Sequence, residues 1–308
     1  MILNELTLWA QSSKAQQLEA INAFIAEYKL EQDFEFVGLE SFQCGAHQYN
    51  IGVFKHLVTG MIFHLLPGSQ AFKPGLNHQQ FEYVKTYYSM DLIEYYPLET
   101  LDTNGEPERV SIVIPPMLMS RFAITESVWI KHNGVTLHKE YGADHPIDAV
   151  ARHDIQSWAY RLKLSLPSDM EWEYACRAGS NTLFYWGDEP DPQFSFKDRF
   201  AGIAQGYRTY AESEQSPCNA FGLLGMIGNQ AEWVLDDIPH YRMPPQAYPL
   251  ILGGKDDGLD GILRGGWHDY SWNFNRSTSR IRCGATDSRC SGRLVLRLAD
   301  RAHYLKMN

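Results

Sequence analysis

Apolar residues recur at helical spacing over 14–29. Leu18, Ile21, Phe24, Ile25 and Tyr28 share a face there, which predicts an amphipathic helix. Two β-like runs follow, 33–42 and 49–66. Val58-Thr59-Gly60 breaks the second run as a hairpin turn, and Pro67-Gly68 closes it. Residues 68–108 are less regular and rich in Tyr, with a turn at Asn104-Gly105-Glu106-Pro107. A β-branched stretch at 110–114 predicts a short strand, and Thr125 is placed to cap a short helix carrying Val128 and Trp129. A second helix is expected over 147–162, with Ile155, Trp158 and Leu162 on one face.

The sharpest local signal is Ser168-Asp169-Met170-Glu171. A Ser three residues before a Glu is a capping box: hydroxyl and carboxylate each take one of the helix's free N–H groups. With Pro167 ahead and Gly179 behind as a stop, it predicts a helix over 169–178. Beyond residue 180 the chain reads mostly as loop. Strands and helices do not alternate there, so a loop-rich α+β domain is expected, not a doubly wound sheet.

Composition narrows the function. In 308 residues, 44% are hydrophobic and 21% charged, with 8 Trp, 17 Tyr and 15 Phe, which describes a folded domain. The formal charge of −10 argues against general binding to nucleic-acid phosphates or anionic membranes. Met1-Ile2-Leu3-Asn4-Glu5 shows no secretory pattern, and no stretch approaches the roughly 18 apolar residues of a membrane span. Cys44, Cys176, Cys218, Cys283 and Cys290 form no C-x-x-C pair, which fits reduced thiols in the cytoplasm.

Three segments, in order, carry a resemblance. They are Leu166-Pro167-Ser168-Asp169-Met170-Glu171-Trp172-Glu173-Tyr174-Ala175; the 219–233 stretch ending Gly228-Asn229-Gln230-Ala231-Glu232-Trp233; and Leu263-Arg264-Gly265-Gly266-Trp267. Together with Thr59-Gly60-Met61-Ile62-Phe63, Leu65-Leu66-Pro67-Gly68, the 116–129 segment and Tyr185-Trp186-Gly187, they resemble the formylglycine-generating enzyme, or sulfatase-modifying-factor, family from about residue 56 to 297. The resemblance implies a loop-rich α+β fold related to the C-type lectins. It would occupy residues 53–302, behind a helix and hairpin extension at 1–52.

In that family the Gly-Asn-x-x-Glu-Trp loop binds calcium. Carried over, the ligands would be backbone oxygens of Gly228 and Gln230 and the carboxylate of Glu232. Gly225 stands where the family usually has Asn or Asp, so one side-chain ligand is lost. The other reading is that Glu232 hydrogen-bonds the loop's own amides. The family's second calcium site would lie in 200–213, which has no convincing acidic pair.

The family's enzyme uses two cysteines after Arg-Gly-Gly, soft thiolates that bind copper and activate oxygen. Here that segment is Trp267-His268-Asp269-Tyr270-Ser271-Trp272-Asn273-Phe274-Asn275-Arg276-Ser277, with no cysteine, and Cys283 and Cys290 come too late to replace the pair. Formylglycine generation and copper are therefore not expected. The histidines form no H-E-x-x-H, and no G-x-S-x-G, phosphate loop or dinucleotide fingerprint is present.

What remains is a surface. In the family's fold the 267–293 segment lines an exposed groove. Trp267, His268, Tyr270, Trp272 and Phe274 with Arg282 and Arg289 are its candidate ligand-binding residues, since aromatics and Arg dominate binding hot spots. Arg293 follows them, while Arg276, Arg280 and Arg297 match positions the family uses structurally. The segment also resembles the variable region of diversity-generating-retroelement target proteins, although Leu294-Val295-Leu296-Arg297 departs from their usual Ile-Gly-Phe-Arg. The expected function is a non-catalytic module binding a protein or small-molecule ligand. Its rivals are an oxidoreductase with another metal site, built for example from His132, His138 and His145, and a scaffold or regulatory partner docking through the N-terminal helix.

Overall fold

The computed structural model describes residues 1–86, 111–133, 143–148, 150–191, 217–237, 261–267, 275–283 and 290–307. The expected turn at 104–107 lies outside them. The chain opens with two helices, α1 (Leu6–Gln11) and α2 (Lys14–Tyr28). A capping box between Ser13 and Gln16 starts α2, and Lys29 in the left-handed region ends it. Its Ile21 and Phe24 enter the core, as the periodicity predicts.

The hairpin β1 (Phe34–Cys44) and β2 (His47–His56) leads into β3 (Ile62–Leu66) through the turn expected at residues 58–60. The antiparallel sheet is completed by β6 (Met117–Ser120) and β11 (Val295–Arg297), in the order β1-β2-β3-β6-β11. The boundary expected after residue 52 therefore falls inside β2, where Gly52 pairs with Leu65 of β3. The extension and the following domain share one sheet and one apolar cluster. A small two-stranded sheet joins β4 (Ser69–Phe72) to β5 (Ile112–Ile114), and α3 (His78–Lys85) lies between them in sequence.

Helix α4 (Glu126–Asn133) begins just after Thr125. Helix α5 (Arg152–Arg161) starts five residues later than the pattern predicts, and Ile147 instead donates its N–H to the Ile124 carbonyl in the preceding loop. Helix α6 (Asp169–Arg177) carries the predicted capping box. It ends on Ala178 in the left-handed region, and Gly179 follows with φ +87°, where an added Cβ would sit 2.4 Å from the Tyr49 hydroxyl.

Beyond residue 180 irregular backbone outweighs regular structure among the described residues, as expected, but a second sheet that the pattern does not mark lies there. Strands β7 (Glu232–Asp237), β8 (Gly261–Arg264), β9 (Arg280–Cys283) and β10 (Ser291–Gly292) form a second sheet, ordered β10-β7-β8-β9, and β10 runs parallel to β7. These strands are short, and β8 is buried at every position, so no apolar–polar alternation marks them. The last element is α7 (Leu298–Met307). Arg301 on α7 pairs with Asp33, which also accepts from Lys163 at 3.1 Å, tying the chain's end to the start of β1.

Candidate functional site

Helix α6 puts three carboxylates into the interior, and each holds arginine. Glu173 accepts from Arg177 at 3.0 Å, Arg264 at 3.0 Å and Arg280 at 2.7 Å, and from the Gly75 N–H at 2.7 Å. Burial would raise its pKa, but the three guanidiniums reverse this and hold it well below the usual carboxylate range. Asp169 accepts from Arg280 Nε at 2.9 Å. Glu171 closes the capping box on Ser168 N–H and takes Arg297 through both oxygens. Arg280 and Arg297 are thus the structural ion pairs their positions imply.

The same arginines fix the frame of the 267–293 segment. Arg264 donates to the carbonyls of Ser277 and Thr278 at 2.8 and 3.0 Å, and its guanidinium lies over the Trp172 ring. Gly265 has φ +84°, and a Cβ there would come within 2.7 Å of the Met226 carbonyl, which explains the first glycine of Arg-Gly-Gly. Asn275 Nδ2 then donates 2.8 Å to the Trp267 carbonyl. Both residues are buried, so the two residues that flank 268–274 are joined by a hydrogen bond inside the protein.

Two residues of the segment turn inward. Trp267 is 6% exposed and packs in the apolar cluster with Trp233 and Leu263, so it supports the segment and does not face a ligand. Arg293 is fully buried, because its guanidinium is matched by Glu232, and it contributes nothing to a surface. His268, Tyr270, Trp272, Phe274 and Arg289 lie outside the described residues. Arg282 is on β9, its backbone opposite Ile262, and its side chain is likewise outside. The 200–213 stretch is outside as well.

Glu232, the side-chain oxygen donor expected for calcium, has other partners. Its two carboxylate oxygens accept from Arg293 at 2.8 and 3.0 Å, and Oε2 also accepts from Trp172 Nε1 at 2.8 Å. Gln230 turns its amide to Asp148 at 3.2 Å, and the Gly228 N–H reaches the Gly265 carbonyl at 2.8 Å. A carboxylate saturated by a guanidinium does not fit a calcium ligand, since a divalent ion beside it would repel the arginine. The alternative reading, loop amides as the partners of Glu232, also gives way to the arginine and the indole.

The titratable groups among the described residues are held by burial and by their partners. The Cys44 and Cys176 thiols are pushed up to about 12 by burial, and burial raises Cys218 too, so none is an activated thiolate. Among the described residues no group of three or more His, Cys, Asp or Glu is arranged to hold a metal ion. Asp236 is pushed up to about 7 by burial and then by the Asp169 charge, but its carboxylate is spent accepting the Asp169 N–H at 2.6 Å. Among the described residues no helix is long and apolar enough to cross a membrane.

Sequence reasoning missed Asn275 and the role of Arg264. A signal for Arg264 was present: three acids within one helix that otherwise carries Trp172, Tyr174, Ala175 and Cys176 require buried cations.

Comparison with known proteins places this geometry. Residues 63–300 match the Sulfatase-modifying factor enzyme 1-like domain. The formylglycine-generating enzyme of Mycobacterium tuberculosis is 35% identical over 141 residues, covering 41% of this chain and 47% of the relative. That of Bos taurus is 31% identical over 156 residues, covering 46% of this chain and 39% of the relative. The matched part thus spans less than half the length of these curated relatives. PvdO from Pseudomonas aeruginosa superposes with a TM-score of 0.59 at 21% identity, covering 82% of this chain and 98% of PvdO. Treponema denticola variable protein 1 gives 0.53 at 16% identity, covering 83% and 98%. At these identities the two structures establish the fold: loop-rich α+β, as in the sulfatase-modifying factors.

Proposed function

From the chain's membership of the sulfatase-modifying factor enzyme 1-like family, we propose that it keeps the family's scaffold without the oxygen chemistry and serves as a non-catalytic module binding a protein or small-molecule ligand. The observation that carries this reading is the bond between the flanks of the 268–274 segment, where the Asn275 amide meets the Trp267 carbonyl at 2.8 Å. Flanks held to each other in this way let the residues between them serve recognition without unsettling the core. Those residues include Tyr270, Trp272 and Phe274, and no cysteine. The copper chemistry that the family resemblance implies would need two thiolates, and this segment has none to offer.

The binding partner is of a kind that aromatic and arginine side chains recognise, an acidic or aromatic ligand. The chain's overall charge of −10 makes nucleic acid and anionic membranes poor candidates. Two measurements test the reading. Partner capture should be lost in a Tyr270→Ala, Trp272→Ala, Phe274→Ala variant whose melting temperature stays that of the wild type. Incubation of a Cys-x-Pro-x-Arg peptide with the protein, copper and oxygen should leave its mass unchanged. Detection of the formylglycine product would overturn the non-catalytic reading.

A further inference from the structure

The Arg293 guanidinium ends all five of its N–H donors on oxygen. Nε donates to Glu232 Oε2 at 3.0 Å; Nη1 donates to the carbonyls of Ser120 and Arg121 at 2.9 and 3.0 Å; Nη2 donates to the Leu224 carbonyl and Glu232 Oε1, both at 2.8 Å. These oxygens come from three places in the chain: the end of β6, the loop before β7, and β7 itself. Arg293 and Glu232 are both excluded from solvent.

Three backbone carbonyls and a two-oxygen carboxylate, converging on one point, are the donor set a hard divalent cation takes. Such a cradle carries a negative charge in a dry interior, and leaving it without a cation would be strongly unfavourable. A guanidinium supplies a positive charge that cannot be lost by deprotonation, and its planar fork distributes five donors over the five acceptors. Arg121 lies beside it, its carbonyl accepting from Nη1, and His64, close by, is kept neutral by burial.

We propose that Arg293 is a resident cation. It fills an oxygen-lined site of the calcium type, so that the 224–233 loop is held to β6 without metal, and shortening the side chain reopens the site to Ca²⁺. The disagreement between the loop's calcium-type sequence and the partners of Glu232 then has a cause: the chain carries its own counter-charge.

The test uses the full chain in three forms: wild type, Arg293→Asn and Arg293→Lys. Each is stripped with EDTA and melted with and without calcium chloride. Tb³⁺ luminescence excited through tryptophan is read in parallel, since Trp172 lies against Glu232. The wild type and the Lys variant should show no calcium-dependent shift and no saturable Trp-sensitised terbium signal. The Asn variant should melt lower in EDTA, regain several degrees with calcium and bind terbium. Adding Glu232→Gln should abolish that recovery. A wild type that is stabilised by calcium, and loses the effect in Glu232→Gln, overturns the proposal. So does an Asn variant that ignores calcium, or one that fails to fold even when calcium is supplied.

Discussion

Asp236 on β7 accepts the backbone N–H of Asp169 at 2.6 Å, so a carboxylate from the second sheet seals the first turn of α6. Burial, then the charges of Asp169 and Glu171, push Asp236 up to about 7, with the Asp169 N–H and then Arg297 opposing. The folded state holds this proton more tightly than the unfolded chain does. This group's contribution therefore favours folding as pH falls through about 7 and is unfavourable above it. Asp236→Asn keeps an acceptor oxygen and removes the charge. The variant should be at least as stable as the wild type at alkaline pH, and its advantage should shrink progressively as pH falls from about 7 towards the ordinary carboxylate value of 3.8. Denaturant midpoints of both proteins across this range check it; parallel curves would show that Asp236 does not titrate there.

His64 on β3 should act in the opposite sense. Its Nδ1 lies 2.7 Å from the Phe221 carbonyl, and the ring stacks on Phe42. Burial, with the Arg121 and Arg293 charges, pushes its pKa down to about 3. The unfolded chain takes up the proton near pH 6.5, so stability present above that value is lost progressively as the solution is acidified. His64→Asn should lower stability at neutral pH and flatten the acid limb. An acid limb as steep as the wild type's would remove His64 from the account.

Glu173 is shared by Arg177, Arg264 and Arg280 at the centre of the molecule. Removing its charge leaves buried guanidiniums uncompensated, a change that costs on the order of 3–5 kcal/mol. Glu173→Gln should therefore lose most of the folded population under mild denaturant. A fall in the chemical-denaturation midpoint no larger than that of an exposed control such as Glu19→Gln would contradict the assignment.

Asn275→Ala removes the hydrogen bond at the base of the 268–274 segment and leaves the buried Trp267 carbonyl without that donor. The expected loss is about 1–3 kcal/mol. Ligand capture should weaken by more than this loss of stability implies, because the segment's preorganised exit is released. Equal capture by wild type and variant would mean that the base does not orient the binding residues.

Much of the scaffold was legible before the structure. Ser168 and Glu171 announced α6 because a capping box is a local arrangement that needs no distant partner. The β1–β2–β3 run was legible because turn residues punctuate long strands. The second sheet was not, because its strands are short and Arg264 and Arg280 occupy interior positions that pattern reading assigns to apolar residues. Arg293 misled for the same reason: in sequence an arginine after Cys290 reads as surface, and its partner Glu232 is 61 positions away. Trp267 was ambiguous in kind, since an indole serves a core or a binding face equally well, and distance along the chain does not choose between them.

The pegging of α6 also dictates when the molecule can fold. Glu173 waits for Arg264 and Arg280, 91 and 107 residues further on, and Glu171 waits for Arg297, 126 residues further on. During synthesis the helix emerges long before the cations that neutralise it, and β11, which completes the first sheet, comes near the chain's end. Closing loops of this length is slow, and an unfinished chain exposes apolar surface that favours aggregation. The native pairing is thus reached only after Arg297 has been synthesised, and truncation even a few residues before Arg297 leaves an opened sheet and an unpaired charge in place of a smaller domain.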